Sequence, residues 1–478
     1  MIQRIGTEDK ILVSGGFSSL QPSGSASRVV ASHYARINAN GTLDTAFAPG
    51  AGGFSGGTVT GTGTLSAERG HFSTGLLTGS ATIRLTGSTA FRAGVHKGII
   101  ALFGGATNVK IASGMTSANG FNTAATQAGY EGADYSTIQG TTFSGITGTV
   151  TIQCSWSGSA TGVADVNANT NIAFIPAATA AAASGTGYTS AANTTGSVNS
   201  ATENAAATMA FSDVFIDSTP TPLADLTDHI IAVVPFCWVA NKGTTGITSI
   251  TQQQARAILT KNQPKSLFTG VSTDTDLVLA VGRDNGSGTR ITCLAETKYG
   301  VSTNVQQYKI TTATGVNTVA RLWPVGDGVG SGTGGNGGYA SGSSITTIMA
   351  ATSNTSSLQL QNAAGANVGA GTRNVTLMSS LGITDANTAV GTPGTSAVRL
   401  AYEGVTYDGT NPDLIYRGTY TNWGYEHLFT KPTISADEQA FVDGITTQMD
   451  DPAVLGSSGL RSSQMFVSRT SDGALVGP

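Results

Sequence analysis

From residue 81 onward, the chain alternates between the apolar patterns of strands and those of amphipathic helices. Residues 81–87 (ATIRLTG) and 150–156 have the short, apolar-rich pattern of buried strands. Residues 91–103 place an apolar residue every three or four positions, which predicts a helix with one buried face, and the two glycines that follow predict its end. A strand at 276–283 and a helix at 287–299 repeat this order. The alternation predicts an α/β domain with a mainly parallel sheet.

The longest apolar run, residues 229–241 (HIIAVVPFCWVAN), is too continuous for a strand with one solvated face. It therefore predicts a long strand that is buried on both faces. Two capping boxes, Thr251 with Gln254 and Ser435 with Glu438, predict the starts of two helices.

Two stretches that are nearly free of charge interrupt the alternation, at residues 176–208 and 326–344. Both consist largely of Ala, Gly, Ser and Thr. A helix in the first stretch is disfavoured because Gly, Thr and Asn interrupt its alanines. Both stretches are predicted to be loops.

Residues 1–80 have a different pattern from the rest of the chain. Residues 10–17 predict a strand, and Asn40-Gly41 predicts a two-residue hairpin turn. Residues 38–50 (NANGTLDTAFAPG) resemble a single repeat of bacterial surface arrays, and the Gly/Thr-rich stretch that follows is typical of β-hairpins or of a flexible tether. Because one isolated repeat cannot bury its own face, we expect a β-rich appendage here.

Composition narrows the classes of function. Only 11% of the 478 residues are charged, and the net charge is −4. No positive excess exists to neutralise a phosphate backbone, so nucleic-acid binding is excluded. No apolar run reaches the length of a membrane span, and the first residues (MIQRIGTEDK) lack the apolar stretch of a secretory signal.

Residues that could hold a metal or carry out catalysis are sparse. The five histidines show no metal-ligand spacing, and no GxSxG or Walker motif occurs. Cys154, Cys237 and Cys293 lie in apolar runs and are predicted to be buried free thiols, with one disulfide among them left open. We therefore expect no metal, no cofactor and no enzymatic activity.

Three turns at the ends of predicted strands share one chemistry. They are rich in Gly, Ser and Thr and span residues 85–91, 157–162 and 283–289. A helix that starts at such a turn presents unpaired backbone N–H groups and the positive end of its dipole to an anion. In the third turn, Arg283 adds a guanidinium group beside Ser287, Gly288 and Thr289, which predicts an anion cradle. Ordinary helix capping explains any single one of these turns equally well.

The order of these motifs resembles that of the phosphate-binding proteins of bacterial uptake systems, a branch of the type II periplasmic binding proteins. The resemblance runs from about residue 82 to about residue 449. It implies two α/β lobes joined by a hinge, with phosphate in the cleft, and it is carried by the segments TGSTAF, SGSATGV, MAFSD and VGRDNGSGTR. The phosphate-binding positions that it implies are Ser88, Thr89, Ala90, Phe91, Ser159, Asp213, Arg283, Ser287, Gly288 and Thr289. Ala90 stands where the family has a hydroxyl group, so Ser88 or Thr89 would replace it.

Under this resemblance, selectivity would come from Asp213. A carboxylate accepts hydrogen bonds without donating them, so it can pair with the proton of hydrogen phosphate. Sulfate carries no proton at neutral pH and would meet charge repulsion. Without the resemblance, a surface cap or a turn acid is the simpler interpretation of Asp213.

The resemblance also implies a domain layout and a cellular role. The layout is an appendage at 1–80, a first lobe at 81–235 and 398–450, a second lobe at 236–397, and a C-terminal tail at 451–478. The role is that of a periplasmic or extracellular protein that captures inorganic phosphate, with an ABC permease as partner. Two alternatives stay open: a surface or matrix structural protein that reuses the fold and self-associates or attaches through its N-terminal segment, and a binding protein for another oxyanion.

Overall fold

The computed structural model describes most of the chain from residue 80 onward and, nearer the N-terminus, a few strands. The described ranges are 80–114, 130–181, 202–221, 225–326, 333–351, 358–391 and 396–478. The chain divides into two compact units, Met1–Ser73 and Thr74–Pro478.

The first unit contains a three-stranded antiparallel sheet and a separate two-stranded ribbon. The sheet consists of Ile2–Ile5, Glu8–Ser14 and Tyr34–Asn38, and the ribbon pairs Ser19–Leu20 with Val29–Val30. The strand expected at 10–17 is found at Glu8–Ser14. The Asn40-Gly41 turn and most of the predicted tether lie outside the described residues.

The second unit is built on one large mixed sheet. In spatial order its strands are Gln263–Pro264, Leu277–Ala280, Val375–Gly382, Thr227–Ala240, Trp423–Thr430, Met209–Ser212, Ala81–Gly87, Val150–Ser155, Tyr135–Gly140 and Val109–Gly114, and Val398–Arg399 pairs beside this path with Thr227–Ala240. Along this path only three neighbouring pairs in the described residues are parallel. The expectation of a mainly parallel sheet is therefore wrong, because the central strands and the hairpin at one edge are antiparallel.

The strand Thr227–Ala240 connects the two halves of this sheet. Up to Pro235 it pairs with Trp423–Thr430, and from Phe236 onward it pairs with Val375–Gly382. It is buried continuously from Ile231 to its end, which confirms the expectation of a strand covered on both faces. A single strand thus belongs to both halves of the sheet, and its partner changes after Pro235.

Two separate hydrophobic cores flank the strand Thr227–Ala240, which contributes residues to both. The first lobe contains the core of Phe91, Ile99, Phe211, Leu428 and Phe441. The second lobe contains the core of Trp238, Ile258, Leu294, Leu377 and Tyr420. This arrangement confirms the expected two-lobed α/β fold, while the exact lobe boundaries stay predictions. Within the stretch predicted to return to the first lobe, Val398–Arg399 pairs with the second-lobe half of Thr227–Ala240, and Trp423–Thr430 pairs with its first-lobe half.

Helices cover the sheet, and smaller strand pairs complete the second unit. The α-helices are Arg92–Leu102, Ser159–Ala168, Ala177–Ala181, Gln252–Thr260, Ser266–Thr269, Gly288–Glu296, Gly342–Met349, Ile383–Val390, Asp413–Tyr416, Ala436–Met449 and Pro452–Leu455, and 3-10 turns lie at Ala106–Asn108, Ile216–Ser218 and Ser462–Gln464. The remaining strands pair Leu77–Thr78 with Ile146–Thr147, Asn171–Phe174 with Glu203–Ala206, Ser249–Ile250 with Ala401–Tyr402, and Tyr308–Ala313 with Val316–Leu322 and Gln359–Gln361. Among the described helices, none combines the length and apolar character that a membrane crossing requires.

Local signals in the sequence are confirmed at several helix ends. Both capping boxes form, at Thr251 and at Ser435. The three cysteines are buried, as expected, and are free thiols. The loop prediction is wrong in part: residues 177–181 form a helix, 203–206 form a strand paired with Asn171–Phe174, and the helix Gly342–Met349 begins inside the second insert. Pairing with a neighbouring strand and packing against the sheet outweigh the weak local preferences of these residues.

Candidate functional site

Three helices begin just after the carboxyl ends of sheet strands and have no side-chain cap. They are Arg92–Leu102, Ser159–Ala168 and Gly288–Glu296, and in the described structure none has a side-chain hydrogen bond at its N-cap residue. The first-turn N–H groups of a helix have no partner within the helix, and the dipole places partial positive charge there. The carboxyl edge of an α/β sheet is where such folds bind ligands. The three helix starts therefore form one region able to attract an anion.

A backbone contact joins the starts of the second and third of these helices, which belong to opposite lobes. The N–H of Ala160 donates to the carbonyl oxygen of Gly286 over 3.0 Å. A side chain on Gly286 would not fit, since its Cβ would lie 2.3 Å from the hydroxyl oxygen of Thr161. Gly158 adopts φ = 101°, which glycine tolerates and other residues rarely do. Glycine is therefore required at this meeting point of the lobes.

Asp213 lies at the same point, immediately after the strand Met209–Ser212. Its side chain is 1% exposed, so it is not a surface cap. The hydroxyl of Ser159 donates to Asp213 Oδ1, and Oδ2 has no hydrogen-bond partner among the described residues. Burial raises the pKa of the Asp213 carboxyl, while the Ser159 hydroxyl and the nearby Arg283 and His427 act in the opposite direction.

Gly288, the first residue of its helix, leaves the space that this carboxylate occupies. A Cβ at Gly288 would lie 1.8 Å from Asp213 Oδ1 and 2.5 Å from Ser159 Oγ. The helix N-terminus and the carboxylate are thus close enough to share a ligand. Ser287 and Thr289, on either side of Gly288, are also buried.

The guanidinium group of Arg283 connects the lobes at a second place. Its Nη2 donates to Thr89 Oγ1 over 2.8 Å and to the carbonyl oxygen of Ala340 over 2.8 Å, and its Nε donates to Tyr339 O over 2.9 Å. Asp284 stiffens the turn that follows, because its Oδ1 accepts from the N–H of Gly286 over 2.9 Å. Arg283 is 2% exposed and is held in a fixed orientation by these contacts.

The first turn, residues 88–91, contributes mainly structure. Ser88 accepts the N–H of Phe91 through its hydroxyl over 3.2 Å and donates its own N–H to Phe211 O over 2.8 Å. The ring of Phe91 is fully buried in the first-lobe core. Ala90 offers no hydroxyl, whereas the Thr89 hydroxyl reaches Arg283.

The structure thus brings the ten expected residues to one region, some in direct contact with each other and others as their neighbours in the chain. Ser159, Asp213 and Gly288 are in mutual contact, and Thr89 is in contact with Arg283. Ser287 and Thr289 flank Gly288, and Ser88, Ala90 and Phe91 form the turn that carries Thr89. Their roles toward a ligand stay predictions.

Sequence reasoning missed a buried charge network beside this region. Arg92, the first residue of its helix, forms an ion pair with Asp134 (Nη1 to Oδ1, 3.0 Å) and donates to Ser341 Oγ over 3.4 Å. Burial lowers the pKa of Arg92, and Asp134 and Asp385 partly offset that effect. An arginine where the helix dipole disfavours a cation was the available signal. Its partners are distant in sequence and could not have been assigned from it.

A second omission is Glu426, on the strand Trp423–Thr430. It is fully buried, and burial together with the charge of Asp213 raises the pKa of its carboxyl well above the ordinary value. The apolar and aromatic residues around it in GYEHLF concealed this acid. Among the described residues, no group of His, Cys, Asp and Glu has the arrangement to hold a metal ion.

Comparison with known proteins gives matches in structure but not in sequence. No family model matches the chain, and a search of curated proteins finds no relative. Structural neighbours include an ABC-type phosphate transport receptor from Vibrio cholerae (11% identity, covering 79% of this chain and 99% of the other, TM-score 0.39). They also include PstS from Borrelia burgdorferi (10%, 80% and 98%, TM-score 0.35). A third is a high-affinity periplasmic phosphate-binding protein solved with phosphate (13%, 80% and 91%, TM-score 0.37).

Proposed function

We propose that this protein binds hydrogen phosphate between its two lobes. The observation that carries the proposal is the Asp213 carboxylate, which is buried, has one oxygen without a partner among the described residues, and lies between two uncapped helix starts from opposite lobes. A buried acceptor with no donor is costly unless a ligand supplies the donor.

The donors around Asp213 match the remaining oxygens of a tetrahedral dianion. The first-turn N–H groups at Gly288 and Thr289, the hydroxyl of Ser287 and the guanidinium of Arg283 supply hydrogen bonds and positive potential. The carboxylate accepts the single proton of hydrogen phosphate. Sulfate would place an unprotonated oxygen against it, and that repulsion would favour phosphate.

Binding would couple to lobe movement. The lobes share the strand Thr227–Ala240, and their contacts across the cleft run through Ala160, Gly286, Arg283 and Thr89. An anion held by both helix starts would add interactions that exist only when the lobes are together, so it would favour the closed arrangement. Capture and release, without catalysis, is the activity that this arrangement supports. We further propose a periplasmic or extracellular location and an ABC permease as recipient, from the resemblance of the motifs.

Isothermal titration calorimetry with phosphate and with sulfate tests this function. We expect phosphate to bind at least about a hundredfold more tightly than sulfate, and Asp213→Asn to reduce this ratio at least about tenfold, because an amide can donate to either anion. Asp165→Asn, a half-buried acid farther along the helix Ser159–Ala168, serves as the matched control and should leave the ratio unchanged. Absence of heat with phosphate, or equal affinity for both anions, would contradict the proposal.

A structural role in a surface array is a second candidate, favoured by the separate compact unit Met1–Ser73. Electron microscopy and sedimentation of the full chain, with and without phosphate, distinguish the two. Ordered filaments or sheets that form regardless of phosphate would favour the structural role, whereas a discrete particle that binds phosphate would favour capture.

A further inference from the structure

A second carboxyl group lies beside Asp213 by the register of the sheet. In the antiparallel pair formed by Met209–Ser212 and Trp423–Thr430, Phe211 is opposite Leu428 and Ser212 is opposite His427. Asp213 follows Ser212 and Glu426 precedes His427, so the two acids are the next residues beyond this last pair, with Asp213 just outside its strand. Because side chains alternate along a strand, Glu426 lies on the face that carries Leu428 into the first-lobe core.

The two acids leave three buried oxygens without donors. Glu426 is 0% exposed and Asp213 is 1% exposed. Among the described residues, neither oxygen of Glu426 nor Asp213 Oδ2 has a hydrogen-bond partner. Two adjacent carboxylates in an apolar environment would repel each other and lack hydration. A single proton on one acid removes one charge and creates a donor for the other.

The surroundings of the two acids differ and decide which one holds the proton. Ser159 donates to Asp213, and Arg283 and His427 favour its ionised form electrostatically. Glu426 has no such support, since burial and the charge of Asp213 both disfavour its ionisation.

The other titratable groups near Asp213 are His427, with its partner Asp228, and Asp472. His427 Nδ1 lies 2.8 Å from Asp228, and the acid Asp472 of the C-terminal segment accepts the N–H of Phe215 over 2.9 Å. Burial raises the pKa of Asp472 to about 6, and the charge of Asp213 acts on it in the same direction.

We infer that Glu426 holds the proton of an acid pair with Asp213, donates it in a hydrogen bond to the Asp213 carboxylate, whose oxygens can each accept a second hydrogen bond from the ligand, and thereby keeps Asp213 an ionised acceptor that selects a protonated oxyanion. Glu426 is a positioning residue, because it acts on the ligand through Asp213. The selectivity part of this inference rests on the proposed function, whereas the shared proton does not. Without Glu426, the buried Asp213 would take up a proton itself and could then donate to sulfate.

The shared proton is tested by infrared spectroscopy of the ligand-free full chain. We expect the difference spectrum between wild type and Glu426→Gln at neutral pH to contain the C=O band of a protonated carboxylic acid. A difference spectrum with only carboxylate bands would overturn the inference. This measurement needs no phosphate, so its outcome is separate from that of the proposed function.

Selectivity is tested by calorimetry with phosphate and sulfate. Glu426→Gln keeps a donor toward Asp213 and should retain the phosphate-to-sulfate affinity ratio within about threefold, whereas Glu426→Leu should lower the ratio at least about tenfold. In wild type, phosphate affinity should fall as pH rises through the point where the infrared acid band disappears, by up to about tenfold per pH unit, and Glu426→Gln should show no such fall. Glu296→Gln, a buried glutamate paired with Arg469, is the control and should follow the wild-type profile.

An unchanged ratio in Glu426→Leu, or parallel pH profiles for wild type and Glu426→Gln, would overturn the role in selectivity. If wild type binds no phosphate at all, the proposed function fails, and the infrared result still decides whether the acid pair shares a proton.

Discussion

Two groups of helices in this protein begin in opposite ways. Gln252–Thr260 and Ala436–Met449 each carry a complete capping box, in which Thr251 or Ser435 accepts a backbone N–H over 3.2 Å. The helices Ser159–Ala168 and Gly288–Glu296, which meet at Asp213, have no side-chain cap in the described structure.

The contrast is sharpest between Ser435 and Ser287, which have the same residue type at the same N-cap position. Ser435 is followed three residues later by Glu438, whose carboxylate accepts a hydrogen bond from the Ser435 N–H over 2.7 Å. Three residues after Ser287 comes Arg290, which cannot accept, and its guanidinium bonds to Asn336 instead. The two capped helices satisfy first-turn N–H groups with their own side chains, whereas Gly288–Glu296 at the site has no such side-chain cap.

The contrast between capped and uncapped helices is tested most severely by placing a side chain at the start of the uncapped helix Gly288–Glu296. Gly288→Ala would place a Cβ 1.8 Å from Asp213 Oδ1, so helix or carboxylate must move. We expect phosphate affinity to fall at least about a hundredfold and the free energy of unfolding to drop by about 1–3 kcal/mol, as calorimetry and urea denaturation would show. Gly477→Ala, where no atom lies within 4 Å of the new Cβ, is the control. Binding within threefold of wild type would show that Gly288 does not border the site.

A smaller effect is expected from Arg283→Lys, which removes the planar set of guanidinium donors but keeps the positive charge. Arg283→Lys would lose the simultaneous bonds to Thr89, Tyr339 and Ala340. We expect phosphate affinity to fall by about 2 kcal/mol, measured by calorimetry. Arg321→Lys is matched in chemistry, because Arg321 also donates twice to a carbonyl oxygen, that of Ala363, and it should leave affinity unchanged. Equal losses in both variants would mean that the effect is structural.

The smallest effects are expected when each of the two N-cap serines, Ser435 and Ser287, is replaced by alanine. Ser435→Ala should lower the free energy of unfolding by about 1 kcal/mol without altering phosphate affinity, because it removes only a cap. Ser287→Ala should alter stability by less than about 0.5 kcal/mol and weaken phosphate binding by about 1 kcal/mol. Urea denaturation gives the change in the free energy of unfolding of each variant, and calorimetry gives the change in its phosphate affinity. The contrast between the two groups of helices would be lost if both variants changed stability alike.

Much of the local structure was predictable because its signals lie within a few residues of each other. The strand Ala81–Gly87 has the predicted bounds, the helix expected at 91–103 is found at Arg92–Leu102, and both capping boxes form. Each depends on side-chain periodicity or on a bond between residues three apart, which neighbouring residues determine without the rest of the fold.

The site was predictable in its residue types but not in its contacts. Ser159 and Asp213 are 54 residues apart, and Arg283 and Thr89 are 194 apart, so no local pattern could show that they touch. The resemblance of motifs suggested these positions together. Glu426 was not suggested, because an acid among aromatic residues has no distinctive pattern until the pairing of Ser212 with His427 brings it near Asp213.

By itself, the sequence determined where several of the helices and strands begin, which turns are rich in Gly, Ser and Thr, and that charges are rare. Only the tertiary structure decided that the sheet is mixed, that Arg92 pairs with Asp134, and that Glu426 lies buried beside Asp213. Hydrogen bonds within a turn depend on adjacent residues, whereas strand direction and the burial of a charge depend on which distant segments pack together, and hydrophobic burial, which is non-directional, governs that packing.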